Sequence, residues 1–409
     1  MRLSKHIGCV GFFVAVGFFV LYGQKDGFAE FANKYRNGGN QISSVGNLYT
    51  YCNGTFVAVD SEGAVYGGTK ISTADVNRPV FNDIYKNYVV GKFVSNVGPD
   101  AWIFQVDYDT HNLIFQKRLY WTHKEDFSVI RAMATTGGLL VGGTGTVPGY
   151  DPYISPFIVA MTTTGDVLWT VTSVSYNFLG TLKDMMQTSD GKYLLLMTGA
   201  AGNQIVKWYF DGSGNPTVER AYMYTGLSAM SSLVESGGYY FVAGKGFGEN
   251  SAILLKLNPD LTVRAAKSYH FDSSASNFSR ISVSPTDGAI LAAITQGNNA
   301  VLAKIDIDLS VIWSKKYTGE NSSSGNDIIT LEGTPSSIGL ISPVNNLLIG
   351  TGKTSPPPTC LLPVSSVTTS TPKIRTTAVV GTLFATNILT TDSDAVATEV
   401  DVASSANCP

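Results

Sequence analysis

Four glycine-ended turns, each followed at once by an apolar run, mark the chain at a nearly constant interval, and that interval most restricts the fold. The turns are TGG at 136–138, SDG at 189–191, SGG at 236–238 and TDG at 286–288, their last glycines roughly fifty residues apart. The runs that leave them are LLVGG, KYLLLMTG, YYFVAG and AILAAIT. Glycine supplies positive φ at low steric cost, and the β-prone run then leaves the turn as a strand. A second segment recurs between these turns, as AWIFQVD (101–107), PFIVAMT (156–162), QIVKWYF (204–210), AILLKLN (252–258) and AVLAKID (300–306). It leads into a turn and then a strand such as VLWTV or VIWSKKY, which sets Trp169 and Trp313 at equivalent places.

A repeat of this length with four short strands predicts a β-propeller blade. One blade cannot bury both faces, so the copies must stack as one ring. The sequence divides into six units near 55–97, 100–145, 155–199, 203–246, 250–296 and 299–343, the first a degenerate copy. Ring closure needs a strand from the far end of the chain, which 42–51 or 346–352 supplies; if both contribute a full sheet, the ring has seven blades. The expected organisation is therefore all-β: residues 1–29 a signal peptide, 42–352 a six-bladed or alternatively seven-bladed propeller, and 353–409 a Ser/Thr/Pro-rich tail.

The stretch TTTGDVLW (162–169) resembles the tryptophan-docking motif of PQQ-like propellers, and the blades as a whole resemble secreted repeat propellers of the broad PQQ-like and kelch-like superfamily. Thr164, Gly165 and Trp169 match the motif, while Val159 and Met161 replace its alanine and aspartate. In the last unit Ala303 and Trp313 match, and Asp308 and Leu309 replace the Thr-Gly pair. The resemblance covers roughly residues 50–345. It implies the fold; in the quinone dehydrogenases of that superfamily it also implies a cofactor held between a tryptophan and a disulfide of adjacent cysteines, with calcium nearby. This chain has no adjacent cysteines. No cofactor is therefore expected, and Trp169 and Trp313 are read as aromatics packed between blades.

Other chemistry finds little purchase. Beyond the signal the histidines are His111, His123 and His270, without the short ligand spacings of a metal site, so none is expected. There is no G-x-S-x-G elbow and no Walker-type loop. The KED run at 124–126 reads as a solvated loop. Carboxylates from different blades could still meet for glycoside chemistry, which spacing alone does not exclude. No catalytic residue is assigned. A formal net charge of −3 at pH 7 provides no basic surplus to displace counterions, so nucleic acid is not an expected partner.

The N-terminus carries Arg2 and Lys5, an apolar run from Ile7 to Gly23, and small residues at Gly27 and Ala29. This is the pattern of a cleaved secretory signal, with an uncleaved anchor as the alternative. The expected location is secreted or cell-surface, with no membrane span after cleavage. Cys52, Cys360 and Cys408 then remain; Cys360 and Cys408 flank the tail and form the candidate disulfide, while Cys52 is left free, buried or paired elsewhere. The tail begins TSPPPTC and continues VSSVTTSTPKIRTT, which reads as an extended stalk of the kind that carries O-glycans; the more apolar 378–402 alternatively forms a small β appendage. Asn53, Asn277 and Asn321 stand in Asn-x-Ser/Thr triplets, the last two expected in corresponding loops of adjacent blades.

In such a ring the loops joining strand 2 to 3 and strand 4 to the next blade share one face. Here they carry Tyr120, Trp121, His123, Tyr150, Tyr153, Tyr176 and His270. Aromatic side chains offer apolar area with a polar edge, suited to sugar or protein surfaces. Two function classes are expected: a non-catalytic propeller that binds protein or glycan or builds a surface structure, self-assembly included, and a secreted propeller enzyme acting on carbohydrate.

Overall fold

The glycine-ended turns do close hairpins. Ser236 faces Tyr239 across a two-residue turn in which Gly237 and Gly238 have φ of 58° and 77°. That is the double positive φ a tight hairpin needs if its strands are to keep their twist. In the SDG turn the Gly191 amide donates to Thr188 O at 2.9 Å, and the Thr188 amide to Lys192 O at 2.8 Å.

The computed structural model describes residues 79–317, apart from connecting segments such as 108–111, 121–125 and 147–153, and strand segments within 48–72, 327–351 and 361–400. The fold is all-β and propeller-like. Among the described residues its strands form seven antiparallel sheets, numbered here in chain order. Sheet 1 holds β1 (Leu48–Cys52), β2 (Thr55–Val59) and β3 (Val65–Ser72). Sheet 2 holds β4 (Pro79–Tyr85), β5 (Tyr88–Ser95), β6 (Gly98–Val106) and β7 (Leu113–Tyr120). Sheet 3 holds β8 (Asp126–Ala132), β9 (Leu139–Thr146), β10 (Ile154–Met161) and β11 (Val167–Ser173). Sheet 4 holds β12 (Thr181–Gln187), β13 (Tyr193–Gly199), β14 (Gly202–Phe210) and β15 (Pro216–Thr225). Sheet 5 holds β16 (Leu227–Ser236), β17 (Tyr239–Gly246), β18 (Ala252–Leu257) and β19 (Val263–Phe271). Sheet 6 holds β20 (Ser276–Val283), β21 (Ile290–Gln296), β22 (Asn299–Ile305) and β23 (Val311–Tyr317). Sheet 7 holds β24 (Asp327–Thr330), β25 (Ile338–Ser342) and β26 (Leu347–Thr351). First strands of consecutive sheets touch in order from β4 through β8, β12, β16 and β20 to β24, which sets the sheets side by side around their innermost strands.

Two sequence expectations are corrected. The units read from the repeat start at a third strand, so the unit 100–145 takes β6 and β7 from sheet 2 and β8 and β9 from sheet 3. The period holds and the phase is out by half a sheet. The tail is the second. Its strands β27 (Leu361–Pro363), β28 (Val367–Ser370), β29 (Arg375–Ala378), β30 (Leu383–Ala385), β31 (Leu389–Asp392) and β32 (Val396–Val400) do not pair with one another. They add outer strands to sheets 6, 5, 4, 3, 2 and 1 respectively, so the chain turns back and retraces the sheets in reverse.

The core lies in the seams between sheets. Because strand side chains alternate, Leu195 packs toward sheet 3 while Leu194 and Leu196 pack toward sheet 5. The seam between sheets 3 and 4 is the aromatic one: Trp169 of β11 meets Tyr193, Trp208 and Phe210 of sheet 4 edge-on, at centroid distances of 5.4, 5.7 and 4.9 Å. Such pairs add about 0.5–1.5 kcal/mol each beyond the area they bury. Trp169 therefore packs between neighbouring sheets, as its place in the repeat predicts.

The turn between third and fourth strands latches sheets 3, 5 and 6 each to the previous sheet. Its fourth residue has positive φ and is Gly165 or Gly214 in two sheets, but Leu261 and Leu309 in the next two, at 68° and 67°. A β-carbon strains that conformation. Both leucines are buried, and the carbonyl of each accepts a tyrosine hydroxyl from the preceding sheet, Tyr224 to Leu261 at 2.7 Å and Tyr269 to Leu309 at 2.8 Å. Burial and that hydrogen bond offset the strain.

Candidate functional site

The first strands of sheets 2 to 6 share a break in register, between Phe81/Asp83, Phe127/Val129, Leu182/Asp184, Met230/Ser232 and Phe278/Arg280. A bulge inserts one residue and re-aims the side chains beyond it. The residues just past it are Asp83, Val129, Asp184, Ser232 and Arg280, and four of these five are polar. They converge. Arg131, two residues beyond Val129, sets one guanidinium nitrogen 2.6 Å from Asp83 and the other 2.5 Å from Asp184. Arg280 reaches Asp83 from sheet 6 at 3.1 Å. The amide of Ile130 donates to Asp83 at 3.0 Å, and the amide of Leu233 and hydroxyl of Ser232 donate to Asp184, each at 3.0 Å.

Two carboxylates and two guanidiniums make a neutral group that joins sheets 2 to 6. Burial pushes the Asp83 carboxyl up, but Arg280, Arg131 and the Ile130 amide outweigh it and hold the group below its ordinary value. Asp83 is thus ionised at neutral pH, whereas a general acid needs a pKa near the working pH. Sequence reasoning did not single out these residues. The available signal is a charged residue within an otherwise apolar first strand, as in TLKDMMQ (181–187).

The two ends of the sheets differ. One end carries the hairpin turns within sheets, and their carboxylates are engaged. Asp211 accepts the amides of Ser213 and Asn215 at 2.9 Å each, and these bonds hold its pKa low. The nearly buried Lys207 reaches Asp190 at 3.1 Å, Tyr240 Oη at 3.0 Å and Pro259 O at 3.3 Å. Lys304 meets Asp287 at 2.6 Å. The other end carries the connections from second to third strands and from one sheet to the next, where the sequence candidates fall.

Among those candidates, Tyr120 ends β7 opposite Leu389 of β31, and Tyr176 opens a short 3-10 turn, Tyr176–Phe178. His270 is half-buried in β19 opposite Thr368 of β28. All three therefore lie on this same end, Tyr120 and His270 in sheets 2 and 5 and Tyr176 between sheets 3 and 4. Trp121, His123, Tyr150 and Tyr153 lie outside the described residues, as do Asn53, Asn321, Cys360 and Cys408. Asn277 is not in a loop: it is the second residue of β20, half-buried and opposite Thr295. Among the described residues no group of three or more His, Cys, Asp and Glu is placed to hold a metal ion.

Strand pairing and seam packing define a propeller-like all-β protein. No protein-family model matches the sequence, and a comparison with curated proteins finds no relative. Among solved structures, the chain is similar to a protein described as a 6-phosphogluconolactonase from Bacteroides uniformis, at 13% identity and a TM-score of 0.48, over 80% of this chain and 97% of that one. It is also similar to the dihydro-heme d1 dehydrogenase NirN, at 9% identity and a TM-score of 0.40, over 78% and 76% of the two chains. At these values the fold rests on the strand pairing above, and no activity passes from either protein to this chain.

Proposed function

We propose that this chain is a non-catalytic β-propeller, secreted or displayed at the cell surface after loss of residues 1–29, that binds a protein or glycan on the end carrying its long connections. The observation that supports this most is the contrast between the two ends. The turns from first to second and from third to fourth strands are short and their carboxylates bonded, while the connections from second to third strands and from one sheet to the next carry the aromatics Tyr120, Trp121, Tyr150, Tyr153 and Tyr176. Loops held on a rigid scaffold are where binding concentrates. The inward carboxylates, which an enzyme acting on sugars would need free, are tied to Arg131 and Arg280. We read the seven sheets as seven blades and residues 361–400 as their outer strap. Glycans at Asn53 and Asn321, and a Cys360–Cys408 bond, belong to the same reading.

A glycan array and a panel of surface proteins, probed with the full chain lacking only the signal, test it. Once a ligand is found, Trp121→Ala and Tyr153→Ala should each weaken binding by more than about tenfold, since a central aromatic anchor typically contributes about 2 kcal/mol or more. Unchanged affinity in both, with loss on substituting Asp166 and Asp211 at the opposite end, would overturn the choice of face.

A further inference from the structure

The strap at the C-terminus is joined to the sheets in an unusual way. Each of its strands pairs only with the last residues of the strand that ends a sheet: Lys315–Tyr317 of β23, Ser268–Phe271 of β19, Tyr222–Thr225 of β15, Val171–Ser173 of β11, Lys117–Tyr120 of β7 and Gly68–Ser72 of β3. Every strand is three to five residues long. Strands that short have no independent stability. Residues 375–378 are all exposed, as are Thr368, Thr369 and Ser370. Backbone edge bonds and a few aliphatic anchors hold the strap on.

Those anchors fall at the seams. Val364 and Val367 pack on the core between sheets 5 and 6, Ile374 on that between sheets 4 and 5, and Val379 and Leu383 on that between sheets 3 and 4. Polar clasps accompany them. Asp272 donates its amide to Ser366 O at 2.9 Å and accepts the Ser366 amide at 3.1 Å, while Lys316 holds the same carboxylate at 2.9 Å. Asn177 donates to Val380 O at 2.7 Å and Ser173 to Thr382 O at 3.1 Å. The outer edge of sheets 1 to 6 is thus an acceptor for an extended Ser/Thr-rich segment that brings one aliphatic residue or two to the seams between sheets 3 and 6.

We propose that this acceptor surface is reversibly occupied, and that it takes the strap segment of a second copy of the chain in place of its own. The segment seated on it specifies the occupant: same backbone register, same anchors, same clasps. Exchange preserves every contact, which is why swapping an identical element is a low-cost route to association. Strand addition to a sheet edge supplies the bonding. An element with few buried apolar contacts and much exposed backbone lies at the low-stability end of a fold, so it opens while the inner strands stay packed.

The test uses full-length chain. Ser268 and Ser370 face each other with Oγ atoms 2.7 Å apart, so cysteines there are placed to bridge. Ser268→Cys protein is mixed with Ser370→Cys protein and oxidised, with each variant alone as control. A disulfide-linked heterodimer on a non-reducing gel is the expected result. In parallel, a fluorescent peptide of residues 361–385 is incubated with wild type, with an oxidised Ser268→Cys/Ser370→Cys double variant, and with Ile374→Asp/Leu383→Asp. Uptake should rise about tenfold in the last, a modest share of what spoiling a buried aliphatic costs, and vanish in the locked protein. No heterodimer, together with no peptide uptake by a weakened-strap protein whose inner strands keep their hydrogen-exchange protection, overturns the proposal. If the weakened variant fails to fold, the cysteine mixture decides alone: heterodimer supports exchange and its absence rejects it.

Discussion

Asp83→Ala should destabilise the ring more than any other single change at its inner strands. The wild-type carboxylate is 2% exposed and accepts the Ile130 amide and both guanidiniums. Truncation leaves that amide without its partner, at about 1–3 kcal/mol. It also strips Arg280 of a carboxylate, whereas Arg131 keeps Asp184 and the Ile130 carbonyl. Removing one partner of a fully buried pair costs about 3–5 kcal/mol. The guanidiniums are 21% and 23% exposed, so water screens part of that. A total of about 3–4 kcal/mol results, or roughly 6–8 °C in Tm at about 2 °C per kcal/mol for a ring of this size. The pH dependence has a definite sign. The folded pKa lies below the unfolded value of 3.8, so the stabilisation is complete above that value and is lost as pH falls through the folded pKa. Thermal unfolding of wild type and Asp83→Asn, followed from pH 7 to pH 2, should show a gap that is constant at first and then closes. An Asp83→Ala Tm within a degree of wild type, or a gap that widens in acid, would refute the hub assignment.

Tyr224→Phe and Tyr269→Phe each leave a buried leucine carbonyl without its hydroxyl, and each should cost about 1–2 kcal/mol in urea unfolding. Trp169→Ala should cost about 3–5 kcal/mol and flatten the near-ultraviolet circular dichroism, since it removes the hub of the seam between sheets 3 and 4. Gly226→Ala acts on the strap: φ there is +99° and the new β-carbon would collide with Lys373 O, so strap amides should lose hydrogen-exchange protection while β12 and β16 keep theirs.

The hairpins and third strands were legible because glycine turns and apolar runs are local signals of fixed type. Residues 156–161 lie in β10 and the TDG turn became the β20–β21 hairpin as expected. Phase was not legible, because a repeat has a period but no origin; where one sheet ends depends on which strand lies innermost. The strap escaped for a related reason. Isolated strands of three to five residues with no more than two Val, Leu or Ile each fall below any window in which alternation can be counted, and Ser/Thr/Pro composition favours the disordered reading. The inner cluster stayed hidden because equivalent positions hold Asp83, Val129, Asp184, Ser232 and Arg280, residue types that no repeat comparison would group.

The order in which the strap meets the sheets constrains the chain's history. During synthesis the sheets emerge in turn, from the N-terminus forward. The strap emerges last and has no seat until the sheets are in place. Its first strand sets Pro363 against Lys315, a near neighbour in sequence, and its last sets Val400 against Gly68, almost the full length of the ring away. A sheet missing or shifted anywhere between would leave the corresponding strap strand bare, with its valine, isoleucine or leucine turned to water. The C-terminus thereby meets sheets 6 to 1 in the reverse of their order of synthesis, and a fully seated strap requires all six of these partners to be in register.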